Sequence, residues 1–219
     1  MITNPVFVNF LETVFLKTLG KPLYKYQLDL IKNHSEYNII NKSRQLGITT
    51  VMAIYSLLKS ICDDKTVLIC SPSLRQSSHV MDEIHNFLSS IKLMPGIFND
   101  LEITSENQSH IRFKDGGQIY SLPNSPETIR GLKADIVVLD EFAQFFNDSD
   151  DKVMEALIPT LSRGGELWLV STPNGERGMH WSIWTDHIKY PHYNRVLIHY
   201  SECSDIKIDK IKQSMDSVS

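Results

Sequence analysis

Only three of the 219 residues are cysteine (Cys62, Cys70 and Cys203), odd in number and far apart. That argues against a disulfide framework and for buried free thiols in a reducing compartment. The eight histidines fall into no HxxxH spacing, and there is no CxxC, so no protein-built metal cluster is expected. No stretch approaches the roughly 20 apolar residues that span a bilayer. The N-terminal MITNPVFVNFLETVFLKTLG is apolar, but it lacks a basic start and is interrupted by Asn9 and Glu12. It reads as an amphipathic helix rather than a signal peptide, and the expectation is a soluble intracellular protein. There is no basic excess either. A net charge of −4 gives no general attraction for nucleic acid, so any such contact needs a local basic patch. Repeats and low-complexity segments are absent. What remains is an ordinary globular composition, 42% hydrophobic and 22% charged, in a chain long enough to bury a core without staples.

Strand-like and helix-like segments alternate along the chain, which predicts an α/β fold with a mostly parallel central sheet flanked by helices. YNIIN (37–41) leads into a loop and then a helix over Thr49–Ile61, with apolar residues at Val51, Ile54, Tyr55 and Leu58. TVLIC (66–70) is a buried strand, followed by a helix for which Ser71-Pro72 is the start signal. Between Leu101 and Leu122 the runs LEIT, SHIRF and QIYSL alternate, and Asp115-Gly116-Gly117 separates the last two. A small antiparallel hairpin inserted in the fold is the reading there. DIVVL (135–139) is a further buried strand ending on Asp140-Glu141, with a helix around Lys152–Leu161 beyond it. Arg163-Gly164-Gly165 turns into ELWLVS, STPNG forms a loop, and a helix precedes NRVLIHY. The tail from Asp205 has a helical pattern.

NKSRQLGITT (41–50) has the outline of a phosphate-binding loop, G-x-x-x-x-G-K-[ST], between a strand and a helix. Backbone N–H groups and a helix N-terminus hold phosphate in such a loop, and the hydroxyl ligates magnesium. Gly47 and Thr49 occupy the second glycine and the hydroxyl position, but Ile48 stands where lysine belongs and Lys42 where the first glycine belongs. Because the loop curls, a lysine at position 42 can reach the β and γ phosphates from the opposite end, and Arg44 can add a second cation. A plain strand–turn–helix with Gly47 in a left-handed conformation fits the segment equally well. IVVLDE places two acids at the carboxyl edge of the sheet, where open α/β sheets bind ligands. There Asp140 could hold magnesium and Glu141 polarise water as a general base. A solvated helix start explains the pair taken alone. ELWLVSTPNG ends on Ser171 and Thr172, hydroxyls able to sense a γ phosphate.

Taken together, PLYKYQLDLI, KSRQLGITT, ICSPSLRQSSHVM, SPETIRGLKADIVVLDEFAQF and LWLVSTPNG resemble the ATPase domain of the large terminase subunit of tailed bacteriophages and related viruses. The resemblance implies a P-loop NTPase of the ASCE, RecA-like type that uses ATP and Mg2+ to drive double-stranded DNA into a procapsid. Gln27 then corresponds to the adenine-recognition glutamine, with Tyr24 or Tyr26 packing nearby; a surface position on an amphipathic helix is the other reading of Gln27. Lys42, Ser43, Arg44, Gln45, Leu46, Gly47, Ile48, Thr49 and Thr50 form the nucleotide loop. Within it Lys42 is the phosphate lysine, Thr49 a magnesium ligand and Arg44 the arginine that stabilises transition-state charge. Asp140 is the second magnesium ligand, Glu141 the catalytic base, and Ser171 and Thr172 the coupling segment. Arg130, in an RG pair, is a sensor or a trans-acting arginine toward a ring neighbour, unless it simply pairs with Glu127 or Asp135. Arg75 and Gln76 are either near DNA or on a solvated helix face.

The same resemblance divides the chain into an N-terminal helical segment with the adenine motif (1–36), an ATPase core (37–200) and the start of a linker or lid helix (201–219). Partners would be the portal protein, the small terminase subunit and further copies in a ring on the procapsid, with a monomer in isolation. The location would be the host cytoplasm, and no membrane is implied. Full-length members carry a C-terminal nuclease domain; with none after Ser219, no nuclease activity is expected of this chain. Two other readings remain: a catalytically silent assembly or DNA-binding relative, suggested by Ile48, and a superfamily 2 helicase fragment, whose DEAD or DEAH wording is here DEFA.

Overall fold

The first helix, α1 (Pro5–Leu19), forms because its two ends are both closed locally. Asn4 Oδ1 accepts from Val6 N, Pro5 sits in the first turn, and the Gly20 N–H returns to Leu16 O. Its apolar stripe, Val8, Leu11, Val14 and Phe15, is buried, as an amphipathic helix requires. The computed structural model describes residues 4–94, 100–145, 149–161 and 164–205. After α1 come α2 (Lys25–Lys32), β1 (Tyr37–Lys42), α3 (Ile48–Cys62), β2 (Thr66–Ser71) and α4 (Leu74–Lys92). The short strands β3 (Ile103–Glu106) and β4 (His110–Phe113) lead to β5 (Gln118–Pro123), α5 (Pro126–Ile129) and β6 (Ile136–Asp140). The chain then runs through α6 (Ser149–Leu161), β7 (Glu166–Ser171), α7 (Gly178–Thr185) and β8 (Asn194–Ile198).

These eight strands join one sheet in the order β3-β4-β5-β2-β6-β7-β1-β8. From β5 to β8 every neighbouring pair is parallel, while β3, β4 and β5 pair antiparallel. The expected parallel sheet with a small antiparallel insertion is therefore present, and the insertion is continuous with the sheet through β5. In the turn before β5, Gly117 is obligatory: a Cβ there would lie 1.9 Å from Ser60 O. The strand before the loop and the strand bearing the acids are not neighbours, because β7 is inserted between β1 and β6.

The central strands alternate between two cores, as their period of two requires when both faces are covered. Ile40, Val67, Ile69, Val138, Trp168 and Val170 pack under α1 to α4. Ile39, Leu68, Val137, Leu139, Leu167 and Leu169 pack with the residues of α6 and α7 on the other side. Two local readings need correction. Ser71 does not start a helix; it ends β2, and Ser73 caps α4 by accepting from Gln76 N. Ser73 wins because Pro72 keeps the preceding residue extended. Cys62 is exposed, unlike the buried Cys70 and Cys203, because it falls on the last residue of α3, where the helix leaves the core. The helical reading of the tail past Asp205 lies outside the described residues. Among the described residues no helix is long and apolar enough to cross a membrane.

Arg195 on β8 closes the far end of α7. Its guanidinium donates to the carbonyls of Ile183 at 2.7 Å, Tyr190 at 2.9 Å, and Trp184 and Tyr193 at 3.1 Å each. These include helix-end carbonyls that no intrahelical N–H reaches. Arg195→Ala is expected to lower the unfolding free energy by about 2–4 kcal/mol in urea titration, since several charge-assisted bonds are lost together. Arg195→Lys should recover only part of that, because an ammonium cannot reproduce the planar fork.

Candidate functional site

The loop after β1 is held from three sides. Ser43 N donates to Ile198 O at 3.0 Å, and Ser43 Oγ accepts from Tyr200 N at 3.1 Å. Leu46 is buried, and its carbonyl accepts from Tyr26 Oη at 3.0 Å and Gln27 Nε2 at 2.9 Å. Gly47 takes a left-handed φ of 65°, and a Cβ there would press on the Gln27 amide, whose Nε2 would lie 2.9 Å away, so both the backbone and the neighbouring amide favour glycine. Gln45 is left-handed as well, at φ 62°. Ile48, the residue in the usual lysine position, is 1% exposed and belongs to the core under α1 to α4. Its side chain points into the protein, away from the loop's mouth. An isoleucine at that position is thus a packing residue.

Lys42 ends β1 at the carboxyl edge of the sheet, and its side chain is 7% exposed. Nζ lies 2.6 Å from Glu141 Oε1 and 3.4 Å from Thr172 Oγ1. Arg44 is exposed and lines the same cleft with Lys42, Gln45, Glu141 and Thr172. On the other side of the loop, Thr49 Oγ1 donates to Asp140 Oδ1 at 3.0 Å. Burial, and next the charge of Glu141, push the Asp140 carboxyl up to about 6, although Lys42 and the Thr49 hydroxyl pull it back. A hydroxyl and a desolvated carboxylate held this close are a donor pair for a hard divalent cation. A cation there would offset the burial that raises Asp140.

Glu141 adopts a left-handed backbone, φ 53° and ψ 42°, a conformation that costs energy for a residue with a side chain. It persists because the surrounding turn is stitched to the end of β7. Thr172 N donates to Glu141 Oε2 at 3.1 Å, Ala143 N to Ser171 Oγ at 3.0 Å, and Asn174 Nδ2 to Ala143 O at 3.1 Å. The strand ends bearing Lys42, the acids and Ser171-Thr172 therefore meet at one point. His180 of α7 lies buried beneath this turn, its ring 6.3 Å from that of Phe142. Burial pulls the imidazole down to about 4, with Glu141 acting in the opposite sense, so it is neutral at pH 7.

A second cleft, of about 710 Å³, opens on the α2 side of the loop and is lined by Tyr24, Gln27, Gly47, Thr50, Glu83 and Asn86, among others. The rings of Tyr24 and Tyr26 stack with centroids 5.5 Å apart and planes nearly parallel, at 5°. Gln27 is not a surface residue: it is buried, accepts from Tyr24 N at 3.0 Å and donates to Leu46 O. Its amide ties the second cleft to the loop. Thr50 Oγ1 donates to Glu83 Oε1 at 3.2 Å, and burial raises the Glu83 carboxyl above the usual range.

Arg130 is not brought to this site. It is exposed and lines a separate cleft with Gly131, Lys133, Asp135 and Glu155, beside Thr66 and hence at the amino ends of the strands. Asp135 instead accepts from Thr66 N at 2.8 Å, and among the described residues no ion pair joins Arg130 to Glu127 or Asp135. Arg75 and Gln76 are exposed on α4 and line the acid-side cleft with Thr49 and Asp140. Sequence reading missed Glu83 and His180. Neither lies in a motif, and nothing in the spacing of the α4 residues sets Glu83 apart from the rest of that helix.

A family model described as the terminase large subunit, T4-like virus type, N-terminal, matches residues 39–212. Among solved structures, the fold matches the large terminase ATPase domain of Thermus phage P74-26 at a TM-score of 0.72 and 16% identity. That match covers 92% of this chain and 90% of that one. The large terminase of bacteriophage HK97 matches at 0.71 and 19% identity, over 97% of this chain and 47% of that one. The large terminase of a thermophilic bacteriophage, in complex with ADP, matches at 0.67 and 14% identity, over 88% and 49%. The chain thus spans about half the length of these last two proteins. With the mostly parallel sheet, its helices and the loop at its carboxyl edge, the fold is that of a P-loop NTPase, and the chain belongs to the terminase large subunit family through that family's N-terminal domain.

Proposed function

We propose that this chain is the ATP-hydrolysing part of a viral DNA-packaging motor, binding ATP with Mg2+ at the loop and coupling hydrolysis to movement of double-stranded DNA into a procapsid. The observation that carries the reading is the convergence of Lys42, Thr49, Asp140, Glu141 and Thr172, from three strand ends and one helix start, around the mouth of the loop. The relatives support it, since the P74-26 protein is described as an ATPase domain and a thermophilic-phage large terminase is found in complex with ATP-γ-S.

Lys42 and Glu141 form an ion pair at the mouth of the loop. An arriving γ phosphate competes for the ammonium, which leaves the Glu141 carboxylate to accept the proton of the attacking water as ADP and phosphate form. Backbone N–H groups at the start of α3 hold phosphate oxygens, and Arg44 stabilises the charge that builds on them. Thr49 and Asp140 would hold Mg2+, which supplies charge neutralisation on the phosphates when bound. Because Thr172 N and Lys42 both contact Glu141, freeing that carboxylate also loosens Ser171-Thr172 and passes the event to the following loop. Arg130 serves a neighbouring copy in a ring on the portal, with the small terminase subunit as a further partner. Residues 37–200 form the ATPase core, behind the helical segment 1–36.

The test is calorimetric titration with ATP and magnesium, followed by phosphate release with and without double-stranded DNA. One-to-one, magnesium-dependent binding with slow release that DNA accelerates is the expected result. Failure to bind would point to the silent assembly module instead. Ile48, which motivated that alternative, is accounted for by the core.

A further inference from the structure

We infer that Glu83, on α4, is the residue that recognises the ribose of the nucleotide, and so makes the site selective for ribonucleotides over deoxyribonucleotides. This rests on the ATP-binding reading above. A nucleotide has a fixed order of base, ribose and phosphates. Tyr24 and Gln27 line only the larger cleft on the α2 side, which suits the base, whereas Thr49, Asp140 and Glu141 line the cleft on the phosphate side and not the larger one. Glu83 and its neighbour His79 line both. Gln45 connects the base cleft to the Lys42 side, but a nucleotide laid from the base cleft to the Thr49–Asp140 pair passes Glu83 at its middle, and that part is the sugar.

The chemistry fits a neutral donor. Glu83 Oε1 accepts from the Thr50 hydroxyl at 3.2 Å, and His79 Nδ1 lies 3.7 Å from the same oxygen. Oε2 is buried and has no hydrogen-bond partner among the described residues, an expensive state for a carboxylate oxygen. Thr50 follows the cation-side Thr49 on the first turn of α3, and its hydroxyl has a single proton to donate. When a phosphate oxygen takes that proton, Oε1 is released too, and Glu83 is left with acceptor capacity and nothing to fill it. The ribose hydroxyls are the only uncharged O–H donors a nucleotide carries at that point, and carboxylates bind ribose in this way in dinucleotide folds.

The experiment measures dissociation constants of ATP, 2′-deoxy-ATP and 3′-deoxy-ATP, each with magnesium, for the wild-type chain, Glu83→Gln and Glu83→Ala. The wild type is expected to bind at least one deoxynucleotide about tenfold more weakly than ATP, as the loss of one bond to a charged acceptor implies. In Glu83→Ala that ratio should fall to about 1, with affinity for the discriminated deoxynucleotide close to wild type, which also shows that the variant is folded. Glu83→Gln keeps an acceptor oxygen and should retain part of the ratio. Equal binding of all three by the wild type, or a ratio that survives Glu83→Ala, overturns the assignment while leaving the ATP site intact. If none of the three binds, the ATP-binding reading falls and this one with it.

Discussion

Glu141→Gln is expected to lower ATP turnover by about 10³-fold, in the range that general-base catalysis contributes, while ATP·Mg affinity stays within a few fold of wild type. The amide has the same size and keeps an oxygen to accept the Thr172 N–H, so the left-handed turn has no reason to rebuild. It cannot take a proton from water. It also releases Lys42 from its ion pair, so phosphate no longer competes with a carboxylate for that ammonium, and any change in affinity should be toward tighter binding. Phosphate release and titration on the same preparation check both halves. Turnover that persists would place the base elsewhere.

The second large effect separates position 42 from position 48. Lys42→Ala should weaken ATP·Mg binding roughly 100-fold, because a charge-assisted contact to phosphate is removed and, among the described residues, no other buried lysine stands in. Ile48→Ala should leave affinity nearly unchanged and instead cost about 2–5 kcal/mol of stability, as large-to-small changes at buried sites do. Ile48 is 1% exposed among α1 to α4 residues, so its contribution is packing. Denaturant midpoints and titrations on the two variants give opposite patterns. If Ile48→Ala lost affinity and Lys42→Ala did not, the relocated lysine would be wrong.

The loop, the two acids and the Ser171-Thr172 segment were legible in the sequence because each is a local pattern: an apolar strand, a turn, and chemistry at the strand end. Lys42 was legible for the same reason, since a curled loop brings its first residue near its last. Gln27 was readable only as one of two alternatives, because its burial depends on the Leu46 carbonyl, 19 residues away in the chain. Glu83 was invisible: its meaning comes from α4 lying against α3, a tertiary contact that leaves no periodic trace. The insertion of β7 between β1 and β6 was unreadable too, since strand order is set by crossover packing rather than by any strand's own residues. Cys62 and Ser71 misled because one-residue differences at element ends decide exposure and capping.

The placement of β7 bears on where the motor proposed above could move. Its parallel ladders run to β1 on one side, from Tyr37↔Leu167 to Asn41↔Ser171, and to β6 on the other, from Ile136↔Glu166 to Asp140↔Val170. Sliding the lysine-bearing strand against the acid-bearing strand would shear both ladders at once inside two filled cores. The floor of the site is therefore stiff, and a power stroke cannot be drawn from it. The weaker ties lie above it, where the turns Glu141–Gln144 and Ser171–Asn174 hold each other by a few hydrogen bonds instead of a ladder.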